Sequence, residues 1–157
     1  METAEIANDG HVAIRRVAGD DLVMIAQHPY SVTVTEPGDD IERLGQIYGK
    51  SGLWREYAAA VAIVDVSTGR MLGTIHCYRA APAIHGLELG YLIHDWADRR
   101  RGVASRAVRM FSDHLFDHRP TLYRQQLIIE VWNTPSWKVA ERCGFVREGI
   151  LRSSGFG

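Results

Sequence analysis

The sequence has few cysteines, no long apolar run and no excess of charge of either sign. Its two cysteines, Cys77 and Cys143, have no CxxC spacing, so neither a zinc site nor a redox motif is indicated. The longest apolar run, residues 57–64, is too short for a transmembrane helix. The acidic, polar N-terminus lacks the features of a secretory signal. We therefore expect a cytoplasmic protein with no membrane partner and no metal.

The charges nearly cancel. Eighteen Lys and Arg residues against nineteen Asp and Glu residues give a formal net charge of −1. The chain therefore has no overall positive field to hold nucleic acid, and a nucleic-acid role would depend on the short basic run Arg99–Arg101 alone. No nucleic-acid partner is expected.

The size and composition are those of one ordinary globular domain. The chain has 157 residues, of which 46% are apolar and 24% charged. A domain of this size buries about 70% of its unfolded surface. We expect a mobile N-terminal tail over residues 1–10 and a single domain over residues 11–157.

The order of apolar patterns predicts a mixed α/β fold. Strand-like segments are followed by helix, strand, helix and strand, which requires at least one parallel pair of strands. Asp20 is expected to begin the first helix, Gly49 to end the second, and Thr134 to cap the last, with Gly144 just past its end. The predicted helices are 20–27, 41–48, 103–116 and 134–142, and the predicted strands are 11–17, 57–66, 71–78, 87–93, 127–132 and 145–152.

The most informative segment is RRRGVAS, residues 99–105, which joins a strand to an amphipathic helix. A helix N-terminus presents unpaired N–H groups and partial positive charge, and Gly102 removes a side chain that would block a ligand. Together with three arginines, these features predict a loop that binds a diphosphate. A solvated basic turn before a helix is the alternative.

A second segment, NTPSWKVAERCGF, begins at Asn133, where a predicted strand ends. Ser136 lies in the first turn of the next helix. Judged locally, Asn133 and Ser136 would serve as turn and capping residues.

These segments resemble the GNAT superfamily of N-acetyltransferases. LELGYLIHDWADRRRGVASRA resembles its acyl-CoA motif, Q/R-x-x-G-x-G/A, matched by Arg99, Gly102 and Ala104. Residues 133–149 are most similar to the branch that acetylates the N-termini of ribosomal proteins. The resemblance implies a central mixed, mostly antiparallel sheet with splayed strands, flanked by helices.

The resemblance also implies acetyl-CoA as co-substrate and assigns residues to it. Backbone amides of the loop would hold its pyrophosphate, backbone groups of Leu92 and Ile93 would contact the pantetheine and thioester, and Asn133 would bond the pantetheine arm. The implied loop residues are Arg99, Arg100, Arg101, Gly102, Val103, Ala104 and Ser105.

Catalysis requires a base, because an alkyl amine with a pKa near 10 is protonated at neutral pH. Glu88, on the strand that faces the cofactor gap, is the predicted base; a solvent-facing glutamate is the alternative, and His94, His85 and His76 are rivals. Many relatives carry a tyrosine acid at the position of Ala140. Ser136 is the remaining candidate to assist the leaving thiolate.

The acceptor would be an amine-bearing small molecule or a protein N-terminus. The alternative is a catalytically weak or inactive acyl-CoA-binding module, which the missing tyrosine keeps open. Relatives also continue to a further C-terminal strand, which is absent after residue 157. We therefore expect either a shortened chain or a partner over that edge, and a homodimer is one such partner.

Overall fold

Seven strands and four helices make up the described part of the computed structural model, residues 5–27, 41–55, 58–79, 86–99, 101–122 and 124–150. The helices are α1 (Leu22–Gln27), α2 (Ile41–Ser51), α3 (Val103–His118) and α4 (Thr134–Arg142). Short 3₁₀ turns cover Gly19–Asp21 and Trp96–Asp98. The strands are β1 (Glu5–Asn8), β2 (Val12–Arg16), β3 (Trp54–Arg55), β4 (Ala58–Asp65), β5 (Met71–Arg79), β6 (Gly86–Ile93) and β7 (Arg124–Gln126).

The strands form one sheet in the order β1-β2-β4-β5-β6-β7, and β3 pairs with β4. All neighbours are antiparallel except β6 and β7. The parallel pairing runs only from Gly86–Arg124 to Glu88–Gln126, whereas β6 stays paired with β5 as far as Ile93. In the described part of the chain, the last five residues of β6 thus have no strand on their other side. The sheet opens at this place, as the resemblance implies.

The core lies between the sheet and α3. Apolar residues recur along α3 at helical spacing, and Ala107, Val108 and Phe111 are completely buried. They pack against apolar side chains from β2, β4, β5 and β6. A smaller cluster on α1 and the facing strand residues contains Val17, Leu22, Ile25 and Ala60. The main core includes the side chains of residues 87, 89 and 93 of β6, and Tyr91 packs against it. Because side chains alternate along a strand, these four residues share the face of β6 that points toward α3.

Most predicted elements are confirmed. The hairpin of β4 and β5, the strand β6, and the helices α1, α3 and α4 occur where the patterns placed them. The mixed α/β class is confirmed as well, and the expectation of at least one parallel pair is met by β6 and β7.

Three predicted boundaries are wrong. Residues 5–8 of the expected mobile tail form β1, because Asp9 Oδ1 accepts hydrogen bonds from the His11 and Val12 amides and turns the chain back onto β2. Gly49 does not end α2; the helix continues to Ser51, and the Gly52 amide bonds the Tyr48 carbonyl at 2.7 Å. Asn133, rather than Thr134, occupies the N-cap position of α4.

Two predicted strands are also wrong. Residues 127–132 form no strand; β7 lies just before them, since β6 and the following chain diverge after Gln126. Residues 145–150 also form none, and 151–157 lie outside the described residues. Large apolar side chains on these segments are exposed: Ile128, Val131, Trp132, Val146 and Ile150.

Among the described residues there is no helix with the length and hydropathy needed to cross a bilayer.

Candidate functional site

The N-terminus of α3 is an open backbone site. Gly102 occupies the N-cap with a left-handed φ of 73°, and a Cβ added there would meet no atom within 4 Å. The first helical bond runs from the Arg106 amide to the Gly102 carbonyl, at 3.2 Å. The amides of Val103, Ala104 and Ser105 come before this bond and therefore have no acceptor within the helix. The first turn also contains no acidic residue. This arrangement favours an anionic ligand.

Two loop arginines are engaged by neighbouring groups. Arg99 Nε donates to the Ile93 carbonyl at 3.0 Å, and its guanidinium lies over the Trp96 ring. Arg101 pairs with the buried Asp98 at 2.9 Å. These contacts order the loop while leaving positive charge at its surface. Arg100 lies outside the described residues.

Asp98 links this loop to the β4–β5 turn. Its side chain is 3% exposed and accepts from both Arg101 and Arg70 Nη2, the latter at 3.1 and 3.2 Å. A buried carboxylate needs such partners, because an uncompensated charge in the interior is costly. The two ion pairs hold the loop against the sheet at the end of β6.

A pocket of about 230 Å³ lies beside the same helix end. Arg101, Val103 and Arg106 line it from the helix side, and His11 and Ser67 line it from two turns. Arg106 also pairs with Asp9 at 2.9 Å. The pocket is smaller than typical sites for whole ligands, so it could take only part of a large one.

Tyr91 and Ser136 meet where β6 faces α4. The Tyr91 hydroxyl donates to Ser136 Oγ at 3.0 Å, and burial raises the pKa of Tyr91 although the bond to Ser136 acts in the opposite direction. Sequence reasoning singled out Ser136 but missed Tyr91. The available signal was strand alternation, which puts Tyr91 on the helix-facing side of β6.

Glu88 points to the other face of β6. Its carboxylate accepts hydrogen bonds from the Tyr78 hydroxyl and, at 3.1 Å, from Gln126 Nε2. Its side chain is only partly buried. Glu88, the predicted base, and Ser136, the predicted partner of the thiolate, therefore lie on opposite faces of β6.

The rival bases are differently placed. His76 pairs in register with Gly90, on the same face as Glu88, and burial lowers its pKa to about 4. It is consequently neutral at pH 7. His94 is buried at the end of β6, and His85 lies outside the described residues.

The carbonyl groups of the two predicted pantetheine contacts on β6 are engaged within the protein. The Leu92 carbonyl turns toward β5, so close to Gly73 that a Cβ there would lie 2.1 Å from its oxygen. The Ile93 carbonyl accepts from Arg99. Asn133 uses its backbone carbonyl for the Ser136 and Trp137 amides, and its side chain makes no capping hydrogen bond.

Cys77 is buried and Cys143 is half-buried. Burial raises the pKa of both thiols, and Cys143 Sγ donates to the Ser105 carbonyl at 3.3 Å. The Ser105 hydroxyl itself is buried without a hydrogen-bond partner in the described structure. The described residues also contain no group of three or more side chains arranged to bind a metal.

A central sheet opened between two parallel strands, with a helix N-terminus at the opening, is the architecture of the GNAT fold. The family model for the acetyltransferase (GNAT) domain matches residues 9–146. The chain belongs to this family.

Individual relatives are more distant. The chain is 31% identical over 93 residues to the protein named Probable N-acetyltransferase YjcK of Bacillus subtilis (strain 168), a match that covers 59% of this chain. The match spans about half the length of that relative.

Solved structures share the fold. Spermidine/spermine N-acetyltransferase SpeG from Vibrio cholerae, crystallised with manganese ions, is 21% identical, with a TM-score of 0.76 over 93% of this chain and 84% of that one. A Vibrio cholerae protein assigned as a ribosomal-protein-serine acetyltransferase is 20% identical, with a TM-score of 0.65 over 89% of this chain and 82% of that one.

Proposed function

We propose that this protein transfers an acetyl group from acetyl-CoA to a primary amine by direct attack. The observation that carries the proposal is the open N-terminus of α3 beside the gap in the sheet. The space over Gly102, the unbonded first-turn amides and the nearby arginines fit a diphosphate. Acetyl-CoA supplies an activated thioester when it is bound.

The donor side of the site consists mainly of backbone. Amides of residues 102–105 would bind the pyrophosphate, with Arg99, Arg100 and Arg101 adding positive charge. The unbonded Ser105 hydroxyl is a further donor in the same turn. Asn133, whose side chain is not used as a helix cap, would bond the pantetheine, and backbone groups of Leu92 and Ile93 would flank the thioester.

The amine side uses Glu88. The amine nitrogen bonds to the acetyl carbon, the carbon–sulfur bond breaks, and its electron pair stays on sulfur. The nitrogen loses one proton and the sulfur gains one, so no further reactant is needed. Glu88 would take the proton from the amine, directly or through water, while Tyr78 and Gln126 hold its carboxylate in place.

The acceptor class is a primary amine, either a small molecule or a protein N-terminus. The SpeG structures support polyamines as the first compounds to try, and the ribosomal-protein branch supports N-terminal peptides. The near-neutral charge of the chain favours neither.

Calorimetry with coenzyme A, followed by thiol release from acetyl-CoA with a panel of amines, tests the proposal. We expect binding and amine-dependent release. Failure to bind saturating coenzyme A would contradict both the donor and the role of the α3 N-terminus. Binding without release for any polyamine, amino acid, aminoglycoside or peptide would instead identify an acyl-CoA-binding module.

A further inference from the structure

The hydrogen bond between Tyr91 and Ser136 joins two hydroxyl groups at the place where a leaving group would lie. Tyr91 lies on β6 and Ser136 lies 45 residues later, in the first turn of α4, and the phenol donates to the serine oxygen at 3.0 Å. The tyrosine ring is partly buried and packs against the main core. The contact is therefore a fixed link between the strand and the helix on two sides of the opening.

The pairing favours one arrangement of the two protons when an anion is present. A hydroxyl has one proton and two lone pairs. When the serine donates its proton to an anion, a lone pair of its oxygen can accept the Tyr91 proton, and this second bond stabilises that arrangement. A serine without such a partner could rotate its proton among several acceptors.

Acid strengths exclude a simple proton relay. A thiol has a pKa of about 8.5, a tyrosine about 10, and a serine hydroxyl is weaker still as an acid. Passing a proton from either hydroxyl to a thiolate is uphill. A hydrogen bond to the thiolate requires no such transfer and stabilises the anion as the carbon–sulfur bond breaks.

We propose that Tyr91 is a positioning residue that orients the Ser136 hydroxyl toward the sulfur of coenzyme A, so that Ser136 stabilises the leaving thiolate. Many relatives have a tyrosine at the position of Ala140 that assists the leaving thiolate. In this chain Tyr91 and Ser136 together take over that task. The proton that finally neutralises the sulfur is the one that the amine loses. This inference rests on the proposed function, because it requires coenzyme A in the gap.

The first experiment measures the ionisation of bound coenzyme A. The thiol pKa is read from the ultraviolet absorbance of the thiolate in the binary complex, with the complex of desulfo-coenzyme A as the blank for the protein's own thiols and phenols. In the wild type we expect a thiol pKa below that of free coenzyme A. Tyr91→Phe and Ser136→Ala should each raise it by about one unit, equivalent to a tenfold weaker preference for the thiolate.

The second experiment measures turnover with the best amine. Tyr91→Phe and Ser136→Ala should each lower kcat about tenfold with little change in the KM for acetyl-CoA, and the double variant should also lose about tenfold, because the two residues act as one unit. Ser136→Thr retains the hydroxyl and should keep most of the activity. Tyr48→Phe, on the second core cluster, is the matched control and should leave kcat unchanged.

The outcomes separate this inference from the proposed function. If coenzyme A binds but its thiol pKa is the same in the wild type and both variants, the inference is wrong and the proposed function stands. A double variant that loses about 100-fold would also overturn it, by showing independent roles. If Tyr91→Phe does not fold, Ser136→Ala can still overturn the inference, because an unchanged thiol pKa in that variant would leave Tyr91 no hydroxyl to orient. Absence of coenzyme A binding in the wild type overturns both.

Discussion

Glu88 and Gln126 form the last register pair between β6 and β7, and the Gln126 side chain donates to the Glu88 carboxylate at 3.1 Å. The carboxylate thus lies at the point where the two strands separate. Tyr78 holds it from the other neighbouring strand. This placement at the mouth of the opening is the one that the proposed base role of Glu88 requires.

Glu88→Gln should lower kcat/KM by about 100-fold or more at neutral pH, because positioned general bases contribute roughly that much. The loss should shrink as pH rises toward the amine's own pKa, since more of the amine is then already neutral. Initial rates across this pH range measure both effects. Glu141→Gln, on the exposed side of α4, is the control; an equal loss there, or a loss for Glu88→Gln that does not change with pH, would count against the base role.

Gly102→Ala should weaken coenzyme A binding by more than it weakens the fold. The left-handed φ of 73° disfavours a side chain by about 1 kcal/mol, and the new methyl group would occupy open space in which the ligand would lie. Gly69→Ala is a matched control, because Gly69 has a φ of 72° and equally open surroundings but lies in the β4–β5 turn. Calorimetry and thermal unfolding should show similar stability losses but unequal affinity losses. Equal affinities in the two variants would be inconsistent with ligand amides at Gly102.

Asp98→Ala should destabilise the protein by about 1–2 kcal/mol, because it removes a buried carboxylate that holds two arginines whose own side chains are about half exposed. Asp95→Ala removes another partner of Arg70, at 3.0 Å, whose side chain is 62% exposed. That change should cost less than about 1 kcal/mol. Urea unfolding compares the pair, and equal losses would show that the buried position of Asp98 has no special weight.

Gly73→Ala should cost several kcal/mol, because its methyl group would lie 2.1 Å from the backbone oxygen of Leu92 and the paired strands cannot easily move apart. Gly49→Ala, at an open and exposed position within α2, should instead stabilise the helix by about 0.5–1 kcal/mol. Denaturant midpoints of the two variants should shift in opposite directions. A neutral Gly73→Ala would mean that the approach of β5 to β6 is looser than the geometry shows.

His76 should make stability depend on acid pH. Burial lowers its pKa to about 4 in the folded state, against an ordinary value of 6.5 in the unfolded chain, so below pH 6.5 the unfolded state binds the additional proton. The contribution of neutral His76 to the free energy of unfolding is complete above pH 6.5 and is lost as the pH falls toward 4. The total loss is at most about 3 kcal/mol. The free energy of unfolding of His76→Gln should lack this component, whereas the exposed His118→Gln should retain it. Parallel pH curves for wild type and His76→Gln would contradict the prediction.

The helix-facing stripe of α3, the alternating strands and the glycine before the long helix were predictable, because each depends on neighbours a few residues away. The role of Tyr91 was not, since its partner Ser136 is 45 residues distant and only the crossing of β6 and α4 brings them together. The two strands predicted at 127–132 and 145–152 were wrong for a related reason. An apolar, β-branched segment becomes a strand only where a neighbouring strand offers its hydrogen-bonding groups.

The sequence by itself determined a mixed α/β domain, the glycine-containing loop before the long helix and the resemblance to GNAT enzymes, since these depend on local spacing and on residue types in order. Only the tertiary structure decided where the sheet opens and which arginines of the loop contact Asp98 and Ile93. It also decided that Glu88 and Tyr91 lie on opposite faces of β6, each beside its own partners. These properties depend on the packing of segments far apart in the chain, and the interactions that fix them exist only when those segments are folded together.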